Sequence, residues 1–312
     1  MSDIYKTIKP YILANLPYKI GDPATARCLQ TKSTEELLIM FLNWFFRQIP
    51  PRPRTVFPSK EVTNKINQDE NRHEILSLIS DIKTGKSLKS RLSKAVNQGF
   101  VLTKNQRHKP LSTSKRPDFD LLLNDWGIHH LHLSNTVEND GFTTRTKGVM
   151  FAIFTYEEAY LIDTFDHKSW SSKQAVRKVI SNWPDSNFFL EVKGLGVRHD
   201  DSDCFDEQEL QGLRTAGMSC PIVIDQKIYI PRQMLSHYGT NTNHTRIATL
   251  ILRKTNLIEE TLKNTPAVLD SHFKANGTIR PERPEFRFEV FANSFGIYET
   301  STDTAIGLVP FQ

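Results

Sequence analysis

Cysteine is scarce in this chain. There are three in 312 residues, Cys28, Cys204 and Cys220, too few and too far apart for a disulfide framework or a Cys-x-x-Cys metal knuckle. Long apolar runs are also missing. The longest, Leu37 to Phe46, is interrupted by Asn43 and falls well short of the roughly 20 residues a membrane-spanning helix needs. The opening residues MSDIYKTIKPYILANL lack the basic-then-apolar layout of an export signal, because Asp3, Lys6 and Lys9 break it up. These absences predict a protein of the reducing cytoplasm with no membrane partner. No Gly-x-Ser-x-Gly nucleophile motif occurs, and Cys204 lies in the acidic run Asp200 to Asp206, where a thiolate is disfavoured. That run has neither the spacing nor the glycine of a calcium loop, so it predicts a surface loop. The string Thr84-Gly85-Lys86-Ser87 looks like the end of a phosphate-binding loop, but Ser80 stands where that loop requires glycine.

Carboxylates are absent from one long segment. Between residues 83 and 116 there is no Asp or Glu, while Lys83, Lys86, Lys89, Arg91, Lys94, Lys104, Arg107, Lys109, Lys115 and Arg116 crowd together. Such a run can track a phosphate backbone, and Lys86, Lys89, Arg91, Lys94, Lys104 and Arg107 are the candidate nucleic-acid contacts. A solvated helix face followed by a mobile loop over 104–116 is the other reading of the same pattern. The whole chain carries a net charge of +5, which favours an anionic partner such as RNA.

Periodicity predicts an α+β fold: a helical N-terminal region, a central antiparallel β-meander with flanking helices, and a C-terminal hairpin with a long helix. The length allows for more than one sub-domain, and we divide the chain into a helical basic region over 1–116, a central unit over 117–198 and a C-terminal α+β region over 199–312. Ser33 and Glu36 form a capping-box pair ahead of the apolar helix ELLIMFLNWFFRQI, which Pro50 and Pro51 stop. Residues 50–63 read as a proline-rich connector. Helical spacing over Asn71–Ile82 and Leu88–Val96, with Gly85 between, predicts a helical hairpin. Further on, 188–196 reads as a strand, Asp206–Thr215 as a helix and Pro221–Pro231 as a β-hairpin. Ile247 to Leu262 then reads as a long amphipathic helix, and the last residues as two strands.

The richest stretch runs from Gly127 to Trp170. In Gly127-Ile128-His129-His130-Leu131-His132-Leu133, strand period puts Ile128, His130 and His132 on one face and His129, Leu131 and Leu133 on the other. Strands are predicted over Val149–Phe154 and Ala159–Phe165, so the meander delivers His167 and Lys168 at its end. Metal-independent RNA cleavage through the 2′-hydroxyl needs a base, a cation on the phosphate and an acid for the leaving oxygen. His130 or His132 is the candidate base, Arg145 and Lys168 the phosphate ligands, and His167 the acid. No cofactor is required by that chemistry.

Short N-terminal helices followed by a meander ending in His-Lys resemble the RelE-like toxin ribonucleases, which cut messenger RNA with His, Arg, Lys and Tyr side chains on a small twisted sheet. The long loop 134–146 departs from that pattern. The Gly-Ile-His-His-Leu-His-Leu string, with the hairpin near Ile224 to Ile230, also resembles a group of uncharacterised bacterial proteins. The likeness implies a toxin-like or defence-associated endoribonuclease of bacterial origin, with RNA as substrate and an antitoxin or defence-system protein as partner.

Three alternatives stand beside it. One is a non-catalytic nucleic-acid- or protein-binding module resting on the basic segment. A second is a metal site, since His130-x-His132 is a common ligand spacing that Asp163 or His167 would complete. The third is a metal-dependent nuclease using Asp118, Glu191 and Lys193, against which Asp118 reads as a helix cap and Lys193 as a surface residue.

Overall fold

A computed structural model describes residues 3–19, 21–69, 71–102, 118–167, 169–194, 205–236 and 239–311. In chain order the helices and strands begin with α1 (Ile4–Asn15), α2 (Pro23–Thr31), α3 (Thr34–Arg47), β1 (Thr55–Pro58), α4 (Lys60–Asn67) and α5 (Arg72–Thr84). They continue with α6 (Leu121–Trp126), β2 (His129–His132), β3 (Gly148–Phe154), β4 (Glu158–Asp166), α7 (Lys173–Asn182), β5 (Phe189–Glu191), α8 (Glu207–Thr215), β6 (Ile222–Ile224) and β7 (Lys227–Pro231). The last are α9 (Thr242–Asn264), α10 (Asp270–Ala275), β8 (Phe286–Val290), β9 (Ser294–Glu299) and β10 (Thr304–Pro310). The fold is α+β, and no helix among the described residues is long and apolar enough to cross a membrane.

Two compact units emerge, and they do not follow cuts at 116/117 and 198/199. One comprises residues 1–42 and 243–312, the other residues 43–242. The first unit is discontinuous. In it β8, β9 and β10 form an antiparallel sheet of three strands, in the order β10-β9-β8, where two were expected. Its α3 starts with the predicted cap: Glu36 N donates to Ser33 Oγ at 3.1 Å and Ser33 N donates to Glu36 Oε2 at 2.9 Å.

The second unit is organised around a four-stranded sheet in the order β1-β4-β3-β2. β2, β3 and β4 form the antiparallel meander, but β1 joins it in parallel with β4, Thr55 opposite Glu158 and Pro58 opposite Leu161. Residues 55–58, within the stretch expected to be a connector, are therefore a strand of the sheet. One sheet face, carrying Leu131, Leu133, Met150, Ala152, Ala159 and Leu161, packs on Val62 of α4 and Ile75, Leu78 and Ile82 of α5. The other face, carrying Val149, Phe151, Ile153 and Ile162, packs on Val176 and Val179 of α7. A second sheet, β5-β7-β6, contributes Phe189, Ile222, Ile224 and Tyr229 to that core.

Local chemistry sets the element ends. Gly85 caps α5 with φ +73°, and a Cβ there would come within 2.6 Å of Pro53 N, so glycine is required twice over. Leu88–Val96 is not a helix: two short 3-10 turns, Lys89–Arg91 and Lys94–Asn97, replace it. The cap of α6 is Asp120, whose Oδ1 accepts from Leu123 N at 3.1 Å, and Gly127 ends the helix at φ +71°. Asp118 is thus not a cap; it is buried, and its carbonyl accepts from Asn43 Nδ2 at 3.0 Å.

Candidate active site

β2 follows Gly127 and runs antiparallel to β3, with His130 opposite Phe151 and His132 opposite Val149. Val149 is in turn opposite Phe165 of β4. Period two therefore carries the face of Phe165 on to His167, just beyond the strand, at the sheet end where His132 lies. The two imidazoles meet there, with ring centroids 5.2 Å apart. Trp170 joins them to His130. Its ring packs edge-on against His130 at 4.7 Å and lies 5.9 Å from His167. Phe151 supports the group from the core, stacked on both Phe165 and Trp170.

The electrostatics divide the histidines. His132 is buried, and this desolvation, reinforced by charge on His130, His167 and Arg145, pushes it down to about 4; it stays neutral at pH 7. Its Nδ1 is buried without a hydrogen-bond partner. His167 Nε2 is 3.3 Å from the Thr146 carbonyl, which can only accept, so Nε2 carries the hydrogen and Nδ1 remains for exchange. His130 is slightly open to solvent, and its Nδ1 lies 3.4 Å from Asp120 Oδ2. That approach is close enough for an ion pair but too poorly aligned to count as a hydrogen bond. His129 faces the opposite way. It packs edge-on against Phe154 at 5.5 Å, and burial holds it down to about 4.

A cavity of about 290 Å³ opens beside His130, bounded by Asp120, Phe119, Trp170, Leu122 and Gln211. Arg145 is exposed on the loop before β3, close enough for its charge to act on His132. A second hollow of about 530 Å³ lies at the same end of the sheet, lined by Lys65, Lys147, Thr146 and Thr164. Lys168 lies outside the described residues.

The chain matches no known family model, no curated protein and no solved structure.

The described residues of the basic segment are arranged differently from a phosphate-tracking surface. Arg91 is buried. Its guanidinium pairs with Asp81 Oδ2 at 3.1 Å and donates to Asn135 Oδ1, Ser77 Oγ and the carbonyls of Leu133 and Ser134. We therefore correct its assignment: it holds the end of β2 to α5 and has no face to offer a nucleic acid. Lys86 pairs with Asp81 at 3.2 Å, and Lys94 pairs with Asp140 and, at 3.6 Å, Glu138. Lys89 is exposed, and Lys104 and Arg107 lie outside the described residues.

Among the described residues the side chains named for a metal are otherwise engaged. Asp163 is sandwiched by Lys65, at 3.0 Å, and Lys178, so its charge is already compensated. Among the described residues no group of three His, Cys, Asp or Glu side chains is placed to hold an ion. Glu191 pairs with Lys227 across the small sheet at 3.1 Å, while Asp118 is buried near α3. Asp120 and Trp170 are the site neighbours that spacing does not reveal, because their proximity to His130 is created by tertiary packing across 10 and 40 residues of chain.

Proposed function

We propose that this protein is an endoribonuclease that cleaves RNA through its own 2′-hydroxyl, using histidines and arginine without a metal. The observation that carries the reading is the meeting of His132 with His167 at the sheet end, with His130 tied to both through Trp170. Transesterification of RNA needs a base near the 2′-hydroxyl and an acid near the 5′-oxygen, with positive charge on the phosphate between them. His130 is the better placed base, because the Asp120 carboxylate stabilises the imidazolium formed as it takes the proton. His167 is the acid, its Nε2 steadied by the Thr146 carbonyl and its Nδ1 delivering a proton to the leaving oxygen. His132, kept neutral by burial, orders the His167 ring without adding a competing charge. Arg145 stabilises the phosphate. Toxin-like or defence-associated action is the biological setting we propose for such an activity, with an antitoxin or defence-system protein as partner.

The test is RNA cleavage by the full chain in the presence of a chelator, comparing wild type with His130→Ala, His132→Ala and His167→Ala. Each acid or base contributes roughly 10²–10⁴-fold. Undiminished cleavage in all three variants would exclude the assignment. Among the described residues a non-catalytic binding module draws less support, because Arg91 is internal and Lys86 and Lys94 are already paired with carboxylates.

A further inference from the structure

The cavity beside His130 has a use that the cleavage chemistry itself does not require. At about 290 Å³ it sits at the small end of the roughly 300–1,000 Å³ range of ligand pockets, sized for one base or nucleoside and not for a run of nucleotides. Two of its walls are aromatic, Phe119 and Trp170, and aliphatic side chains such as Leu122 supply much of the rest. Unstacked RNA bases are recognised on such walls by stacking, with hydrogen bonds to their Watson–Crick edges.

The polar group that selects is Asp120. Its Oδ1 is steadied by the Leu123 N–H at 3.1 Å and its Oδ2 lies toward His130, so the carboxylate is fixed as part of the pocket wall. A carboxylate accepts and cannot donate. Guanine offers two adjacent donors, N1–H and the N2 amino group, on one edge. Adenine and cytosine place a ring-nitrogen lone pair beside their single amino group, and uracil flanks its one N–H with two carbonyl oxygens. Each of those edges turns an acceptor toward the carboxylate.

We propose that this cavity is a base-specificity site that takes guanine from single-stranded RNA, stacked between the aromatic walls and bonded to Asp120, next to the scissile phosphate. The proposal rests on the ribonuclease reading only for the cleavage that follows binding.

Calorimetric titration of the full chain with each of the four nucleoside 5′-monophosphates tests it. Guanosine monophosphate is expected to bind at least tenfold more tightly than the other three. Asp120→Asn, which keeps the helix cap because asparagine caps as well as aspartate, is expected to erase that preference. Gln211→Trp, which fills the cavity from exposed α8, is expected to abolish binding. His132→Ala and His167→Ala are expected to retain guanosine monophosphate binding while losing RNA cleavage. Equal binding of all four nucleotides, or guanosine monophosphate binding unaffected by Gln211→Trp, overturns the proposal. Selective binding without any RNA cleavage leaves the pocket standing and removes the ribonuclease reading. Cleavage without base preference and without guanosine monophosphate binding does the reverse.

Discussion

His129 offers a quantitative test of how this sheet is built, because it is the histidine turned into the core. Its imidazole is buried against Phe154, and desolvation lowers it from 6.5 to about 4. In the unfolded chain it titrates near 6.5. Above that value both states are neutral and the group confers no pH dependence. As the pH falls from 6.5 toward 4, the unfolded state binds a proton that the native state refuses. Stability is therefore full above the unfolded value and is lost as the pH falls toward the folded one. The linkage amounts to about 2 kcal/mol between pH 7 and pH 5 and about 3 kcal/mol by pH 4. Replacing His129 with Phe removes this term while keeping an aromatic ring against Phe154. Urea unfolding of wild type and His129→Phe at pH 7, 6 and 5, followed by circular dichroism, gives the stability difference at each pH. That difference should shift by about 2 kcal/mol in favour of the variant between pH 7 and pH 5. A difference that stays constant across the range would mean that His129 titrates freely in the native protein, and the burial argument fails.

Further outcomes are expected. Arg91→Ala should cost several kcal/mol in urea unfolding, because it strips a buried ion pair and the β2 carbonyl contacts together. Lys94→Ala, which opens only an exposed pair, should leave the urea midpoint nearly unchanged. Phe151→Ala should cost about 3–5 kcal/mol from the cavity it leaves, and near-ultraviolet circular dichroism should report the loss of Trp170 packing. Gly85→Ala should lower the melting temperature, since the residue combines a positive φ with contact on the Pro53 backbone.

Which histidines share a sheet face was legible in the sequence because strand period is a local property. The assignment of His130 and His132 to one face and His129 to the other follows from alternation alone, and the sheet has that arrangement: His129 lies with Leu131 and Leu133, His130 and His132 with Ile128. Caps were legible for the same reason, as at Ser33 with Glu36 and at Gly85. What local pattern misses is pairing at long range. β1 has only four residues, begins two residues after Pro53 and ends on Pro58, and it becomes a strand because the edge of β4 accepts it in parallel. Arg91 looks like one more exposed cation in a basic run until α5 and β2 close around it. The discontinuous unit of residues 1–42 and 243–312 is invisible to any division made along the chain, because composition does not change at its borders. Asp120 and Trp170 escape notice for a related reason: each has an ordinary local explanation, a helix cap and a core aromatic, and their placement beside His130 depends on the folded sheet.

The central claim is that the histidine cluster activates the 2′-hydroxyl of RNA, and the products of cleavage report on it most directly. Mass spectrometry of fragments made by the wild-type chain in excess chelator should show 2′,3′-cyclic phosphate ends paired with 5′-hydroxyl ends. The same oligonucleotide carrying 2′-O-methyl groups should remain intact. Fragments with 5′-phosphate ends, or cleavage of the 2′-O-methyl strand, would contradict the account, because neither can arise through the 2′-hydroxyl.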